Sequence, residues 1–155
     1  MSNRIYFKHT LKNKVDSIKR ENLSFVKITK DNFLFNQEMI SKTIDVFNSQ
    51  IDWDEMWTVD IANTRLLNGE ILYLLLNNHV PMGHVWYNVN YLYNAFVSNT
   101  REDGDSVWFI QETMWDIKNH FNLNHIQLYV DTWNKRAIKF WKKIGFKKYK
   151  FIKEE

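Results

Sequence analysis

The chain of 155 residues has the length of one domain, and its hydrophobic fraction of 45% and aromatic fraction of 16% are typical of a globular protein. It contains no cysteine, which excludes disulfides, thiolate catalysis and cysteine-based zinc sites. No apolar run approaches the ~18 residues of a membrane span, and the N-terminus lacks the apolar segment of a secretory signal. We therefore expect a soluble cytoplasmic protein with no membrane partner.

The formal net charge of +3 is unevenly distributed along the chain. Residues 1–30 carry eight basic and two acidic side chains, residues 31–133 carry four and fourteen, and residues 134–155 carry nine and two. One interpretation is a set of solvated charged faces. The other is an acidic middle that attracts a cationic substrate and basic ends that attract an anionic cofactor. Both stay open.

Residues 1–22 are polar and rich in Lys and Asn, and we interpret them as an N-terminal decoration on a domain that covers residues 23–155. Leu11, Val15 and Ile18 have helical spacing, which predicts a short helix. The alternation within Leu23 to Ile28 predicts the first strand of the domain.

Two helices are predicted next, one after an N-cap at Asp31 and one from Trp53 to Leu67. Acidic and aromatic side chains mix around the start of the second helix, a composition that suits a substrate carrying an ammonium group. The alternative is ordinary: acidic residues are stabilising at a helix start, and tryptophans pack in cores. The candidate substrate-binding residues are Asp52, Trp53, Asp54 and Trp57, with Glu55 and Asp60 beside them.

The second half of the chain alternates strands and helices in an order that predicts an α+β fold, a single domain with a mixed, twisted central sheet flanked by helices. Five histidines share no metal-ligand spacing, so no metal is expected. The predicted strands are Ile71–Leu76, Met82–Val89, Tyr91–Val97, His125–Val130 and Phe146–Ile152, and the predicted helices are Val107–Phe121 and Asn134–Ile144.

The turn between the strand ending at Val97 and the following helix has the features of an anion site. The first N–H groups of a helix are unpaired and attract phosphate, together with the helix dipole. Gly104 permits close approach to the backbone, and Arg101 adds a positive charge. Taken alone, the same turn is more often a purely structural connection.

Two motifs in sequence carry a resemblance to a known family. Arg101-x-x-Gly104-x-Ser106 resembles the Q/R-x-x-G-x-G/A pyrophosphate motif of the GNAT superfamily of N-acetyltransferases. About thirty residues later, Asn134-x-x-Ala137-x-x-Phe140-Trp141-x-x-x-Gly145-Phe146 is similar to its closing motif, N-x-x-A-x-x-F-Y-x-x-x-G-F. The resemblance implies the GNAT fold.

The resemblance also implies acetyl-CoA as co-substrate, with its pyrophosphate on the turn after the strand and its pantetheine arm beside the end of that strand. Ser106 stands where the family has Gly or Ala, and three carboxylates lie near the expected phosphates. The implied cofactor-binding residues are Val97, Arg101, Glu102, Asp103, Gly104, Asp105, Ser106, Val107, Asn134 and Trp141. For Asn134, a role as helix N-cap is the alternative and is compatible with the first.

The implied reaction is direct attack of a primary amine, from a small molecule or peptide, on the thioester. The Val97 backbone is the implied oxyanion contact, and Tyr91, Tyr93 and His84 are candidates for proton transfer, with core packing as their alternative. Trp141 stands where the family often has a Tyr acid, and an indole N–H cannot serve as one.

A second hypothesis is a catalytically weak or inactive GNAT-fold module that binds acyl-CoA, a protein or a nucleic acid. Trp141 and the acidic turn favour it, whereas the two motifs together favour the enzyme. For the enzyme we expect no nucleic-acid partner, and a homodimer is one option for its assembly.

Overall fold

A computed structural model describes residues 3–51 and 56–152. In this part of the chain, strands and helices form one sheet with helices on both faces, which confirms the predicted α+β class. The strand order is β2-β3-β4-β5-β6-β1-β7, antiparallel except for the parallel pair β5 and β6. The elements are β1 (Arg4–His9), β2 (Leu23–Ile28), α1 (Gln37–Gln50), α2 (Val59–Leu67), β3 (Ile71–Asn77), β4 (Val80–Asn88), β5 (Tyr91–Val97), α3 (Asp105–Phe121), β6 (Ile126–Asp131), α4 (Lys135–Ile144) and β7 (Lys147–Ile152).

The continuous apolar run of β3 is explained by burial on both faces of the sheet. Leu72 and Leu74 face α1 and α2, whereas Tyr73 and Leu75 face the side on which α3 and α4 pack. Because side chains alternate along a strand, one strand supplies both hydrophobic clusters. The sheet therefore lies between two helical layers.

The N-terminal segment contains a strand that the sequence analysis missed. Strand β1, assigned there to a decoration, lies inside the sheet and pairs with both β6 and β7. The predicted helix over Leu11 to Ile18 is wrong. Leu11 has a φ of 56° and is buried, and residues 10–22 form neither a helix nor a strand.

The predicted starts of the first two helices are also wrong. Asn32, rather than Asp31, makes the local turn, since its side chain accepts from the Thr29 N–H at 2.8 Å; a short 3-10 turn follows before α1. The second helix begins at Val59 after Thr58, whose hydroxyl accepts from the Ile61 N–H at 3.2 Å. None of the described helices has the length and apolarity to cross a membrane.

Candidate active site

The sheet opens between β5 and β6. In the described structure these parallel strands share one residue pair, Tyr91 with Gln127, supported by a 2.8 Å hydrogen bond from the Gln127 N–H to the Asn90 carbonyl. Beyond it lies a cavity of about 610 Å³. Its lining comes from the end of α1, β5, the following turn, α3 and α4: Ser49, Gln50, Ile51, Ala95, Phe96, Val97, Asn99, Arg101, Ser106, Ile110, Asn134, Arg136, Ala137, Phe140 and Trp141.

A β-bulge shapes the side of the cavity formed by β5. The β4–β5 register shifts between His84 and Trp86, and Asn94 takes a left-handed φ of 52° at the shift. Such a bulge bends the strand that carries it. Near its end β5 approaches β4 closely: a Cβ on Gly83 would lie 2.6 Å from the Phe96 carbonyl oxygen. Gly83 thus sets the position of the strand end that lines the cavity.

The turn after β5 leads directly into α3 and leaves N–H groups free. Gly104 has a φ of 89°, with open space where a side chain would be, so it allows close approach to the backbone. The Trp108 N–H bonds to the Gly104 carbonyl at 3.0 Å, but no acceptor from the described residues bonds the N–H of Ser106 or Val107. Because Ser106 lines the cavity, this helix terminus faces it.

The charged side chains of the turn point in different directions. Arg101 lines the cavity, and its guanidinium donates to the carbonyls of Val97 at 3.3 Å and Ser98 at 3.2 Å. Glu102 and Asp103 are exposed, whereas Asp105 is fully buried and paired with a cation from the N-terminal segment. The three carboxylates therefore do not act as one unscreened group beside the cavity.

The end of α1 holds the turn from the other side. The Gln50 side chain donates to the Ser98 hydroxyl at 3.0 Å and accepts from the Asn99 N–H at 2.9 Å. Sequence reasoning missed Gln50 and Asn99, because their partners are nearly fifty residues apart and neither belongs to a motif. Ile51, the last residue before the acidic stretch 52–55, also lines the cavity.

Helix α4 supplies the opposite wall. Asn134 is its N-cap, since its side-chain oxygen accepts from the Ala137 N–H at 3.2 Å, and it lines the cavity as well. Trp141 is 7% exposed and makes an edge-on contact with Phe146 at 5.3 Å. Arg136, which the sequence analysis did not single out, adds a second cation to the lining.

His84 lies outside the cavity lining and has both ring nitrogens occupied. Its Nε2 is 2.7 Å from the Asn94 side-chain oxygen, which accepts, so Nε2 carries the proton. Its Nδ1 then accepts from the Thr43 hydroxyl at 3.0 Å. Burial lowers the pKa of His84 to about 4, so the ring is neutral at pH 7.

Tyr93 and Tyr91 also lie outside the lining. The Tyr93 hydroxyl donates to Glu70 and accepts from Arg65 at 3.0 Å; burial, together with Glu70, raises the pKa of Tyr93. Tyr91 lies near Tyr149 of β7, whose hydroxyl donates to Gln127 and whose pKa is raised by burial and by Tyr91. The structure thus does not bring the three proton-transfer candidates together, and their catalytic role stays a prediction.

Of the predicted substrate residues, Asp52, Trp53 and Asp54 lie outside the described residues. Trp57 is half-buried and stacks on Trp86 at 5.4 Å, outside the cavity lining. Its ring already has a cation of the chain over it, the Arg65 guanidinium at 5.1 Å.

No family model matches the sequence, and no curated protein matches it either. Solved structures do match. A functionally unknown conserved protein from Staphylococcus epidermidis aligns with a TM-score of 0.66 and 13% identity over 97% of this chain and 59% of its own. A GCN5-related N-acetyltransferase from Sphaerobacter thermophilus aligns with a TM-score of 0.66 and 11% identity over 97% of this chain and 50% of its own.

An aminoglycoside acetyltransferase from an uncultured soil metagenomic sample aligns with a TM-score of 0.61 and 14% identity, over 80% of this chain and 88% of its own. The chain thus spans only 50% to 59% of the length of the first two proteins and most of the third. At such identities these likenesses establish the fold. The chain has a GNAT-like fold, of the kind found in acetyltransferases.

Proposed function

We propose that the protein is an acyl-CoA-dependent N-acyltransferase, which transfers an acetyl group from acetyl-CoA to a primary amine of a small molecule or peptide by direct attack. One observation carries the proposal: the cavity at the end of β5 is bordered both by the N-terminus of α3 and by the motif residues of α4. The GNAT-like fold supports it.

The residues around the cavity fit the parts of acetyl-CoA. The N–H groups of Ser106 and Val107, together with the Arg101 guanidinium, would hold the pyrophosphate. Arg136 offers further positive charge. Ile110, Ala137, Phe140 and Trp141 give apolar surface for the pantetheine arm. Gly104 leaves room for the phosphates, because nothing occupies the space beside its Cα.

Bound acetyl-CoA supplies the activated acyl group, and the chain orients the thioester and provides polar groups around it. The Val97 backbone, at the end of β5, is the proposed contact for the acyl oxygen. The described side chains of the lining include no Asp, Glu, His or Tyr. The proton that the amine must lose therefore passes to water in this proposal. Trp141 gives apolar surface to the site, and because its indole cannot act as an acid, the departing CoA thiolate takes its proton from water in this proposal.

For the acceptor, we propose a cationic amine. The acidic stretch 52–55 follows Ile51, a lining residue at the α1 side of the cavity. Negative charge there would raise the local concentration of a cationic substrate.

The alternative is a module of the same fold that binds acyl-CoA, a protein or a nucleic acid without chemistry. Trp141 at the expected acid position, and the exposed Glu102 and Asp103 beside the phosphate turn, are what favour it. Release of free thiol from acetyl-CoA, measured across a panel of amines, separates the two. Acylated product supports the enzyme, whereas CoA binding without thiol release supports the module.

Gly104→Val tests the site directly. A side chain at this position should fill the space that the phosphates need and weaken CoA binding by at least about tenfold, measured by calorimetry. Gly69→Val is the matched control, because Gly69 has a similar φ of 95° and the same open surroundings but lies between α2 and β3, not in the turn before α3. Equal CoA affinity of the two variants, both folded by circular dichroism, would place the binding site elsewhere.

A further inference from the structure

Residues 10–22, which we call the strap, run along α3 from its C-terminal end to its N-terminal end. Near the C-terminal end of α3, the Lys118 ammonium donates to the Leu11 carbonyl at 2.8 Å. At the middle, the buried Gln111 side chain accepts from the Val15 N–H at 2.8 Å and donates to the Val15 carbonyl at 3.0 Å. These bonds satisfy strap backbone groups that have no helix or sheet partner, and they fix its path.

At the N-terminal end of α3, the strap places Arg20 against Asp105. Arg20 Nε donates to one carboxylate oxygen at 2.9 Å and Nη2 donates to the other at 2.6 Å, a two-bonded geometry. The second oxygen also accepts from the Glu102 N–H at 2.9 Å. Asp105 is fully buried, and Arg20 lies 3.0 Å from the exposed Glu102 carboxylate as well.

The Arg20–Asp105 ion pair lies at the end of α3 where the phosphates are proposed to bind. Asp105 is the first residue of α3, directly before Ser106 at the cavity. An unpaired buried carboxylate there would repel an anion bound at the same helix end and would cancel the attraction of the helix dipole. Burial works to raise the pKa of Asp105, but the hydrogen bonds from Arg20 and the Glu102 N–H outweigh it and hold the pKa below its ordinary value. The carboxylate is therefore ionised, and its charge needs a partner.

We propose that Arg20 is a positioning residue for phosphate binding: it cancels the charge of Asp105 and fixes the turn 102–105, so that the strap makes the helix end receptive to an anion. The inference rests on the proposed function, because it takes this turn as the pyrophosphate site. The inference gives the strap, which lies outside both sequence motifs, a role in binding acetyl-CoA.

Three variants test the proposal through CoA affinity, measured by calorimetry at low salt. Arg20→Gln removes the cation and should weaken CoA binding about tenfold. Asp105→Asn keeps an acceptor for the Glu102 N–H, removes the carboxylate charge, and should bind CoA at least as tightly as the unaltered protein. Arg20→Gln combined with Asp105→Asn should recover the affinity to within about twofold, because neither charge remains.

A donor without phosphates gives a readout that a structural defect alone would not produce. With S-acetylpantetheine in place of acetyl-CoA, Arg20→Gln should leave KM and kcat unchanged, whereas with acetyl-CoA it should raise KM and leave kcat nearly constant. Should Arg20→Gln fail to fold by circular dichroism, Arg20→Lys keeps the charge but loses the two-bonded geometry. It is expected to lower CoA affinity by no more than about threefold, and a tenfold loss would overturn charge cancellation.

The outcomes separate this inference from the proposed function. No CoA binding by the unaltered protein overturns the proposed function itself. Where the unaltered protein binds CoA, unchanged affinity in Arg20→Gln overturns the role of Arg20. A double variant as weak as Arg20→Gln alone overturns charge cancellation as its cause, and so does an equal rise in KM for both donors.

Discussion

Trp141 packs at the apolar wall of the cavity, where the family that the sequence resembles often places a tyrosine acid. Its indole makes an edge-on contact with Phe146 and is nearly buried, so it fills volume and carries no transferable proton. A thiol is a fairly good leaving group, with a pKa near ~8.5 for the cysteine analogue, so turnover without a protein acid is chemically reasonable.

Trp141→Tyr and Trp141→Phe form a matched pair that differs by one hydroxyl. Both lose packing, so each should lower the free energy of unfolding by about 1–3 kcal/mol. If proton donation limits the rate, the Tyr variant should turn over faster than the Phe variant, by up to about a hundredfold. The measurement is thiol release as a function of pH. Identical rates and pH profiles would mean that protonation of the thiolate is not limiting.

His84 makes stability depend on pH. Its pKa is about 4 in the folded protein, and the unfolded chain has the ordinary value near 6.5. Between these values the unfolded state binds the extra proton, so acidification lowers the free energy of unfolding. The loss grows as pH falls from about 6.5 to about 4 and amounts to at most ~3 kcal/mol.

His84→Gln removes this titration and keeps a hydrogen-bonding side chain between Thr43 and Asn94. Its free energy of unfolding, from urea denaturation at several pH values, should fall less steeply than that of the unaltered protein over this window. Parallel curves for the two proteins would show that His84 is not the group responsible. His9, whose pKa burial also lowers, should leave some of the slope in the variant.

At the scale of elements, the close approach of β4 and β5 depends on Gly83. A methyl group there would meet the Phe96 carbonyl oxygen at 2.6 Å, so Gly83→Ala must push β5 away from β4. Because the end of β5 lines the cavity, we expect both a stability loss of about 2–3 kcal/mol and weaker CoA binding. The measurements are thermal unfolding and calorimetry.

Gly69→Ala separates backbone strain from steric displacement. Gly69 has a φ of 95° but open surroundings, so alanine there should cost about 1 kcal/mol and leave CoA binding intact. If Gly83→Ala were no more disruptive than this control, the spacing of the two strands would not depend on the glycine.

The sequence predicts those strands and helices whose apolar residues recur at the spacing typical of the element. The predicted bounds of β2 and β5 are confirmed residue for residue, and α3 begins two residues before its predicted start. In these elements the spacing of apolar residues along the chain is the local signal from which a strand or a helix is predicted. Strand β1 escapes prediction, since the strands that flank it come from the far end of the chain.

In the candidate site too, residues within local motifs can be predicted, whereas residues that act through long-range contacts cannot. The Arg101 turn and the Asn134 N-cap carry local motifs, and both line the cavity. Gln50 and Arg20 act through hydrogen bonds to partners 49 and 85 positions away, which no short pattern encodes. Strand position alone indicates the proton-transfer candidates. Alternation of side chains does not encode the bulge in β5 or the side-chain hydrogen bonds around His84.

At the scale of the whole molecule, charge segregation matches the arrangement around the cavity. The basic N-terminal residues include Arg20, which pairs with Asp105 at the start of α3, and the basic C-terminal residues include Arg136, which lines the cavity. The acidic middle includes the stretch 52–55, which follows the α1 side. This is the distribution that the proposed anionic donor and cationic acceptor would need.

Neutralising Asp52 and Asp54 by Asp52→Asn with Asp54→Asn tests the acceptor preference; both residues lie outside the described ranges. For a polycationic amine we expect a several-fold rise in KM at nearly constant kcat, because long-range attraction acts on capture. Raising the ionic strength should have the same effect on the unaltered protein, since the Debye length is ~8 Å at physiological salt.

Asp31→Asn with Glu38→Gln removes the same charge before and at the start of α1, outside the cavity lining, and is the matched control. Its KM should change less than twofold if capture depends on charge close to the site. Equal increases in both double variants would instead assign the effect to the net charge of the molecule. An unchanged KM in the Asp52 and Asp54 variant at low salt would mean that these carboxylates do not attract the substrate. Their interaction with the dipole of the following helix would then be sufficient to explain their presence.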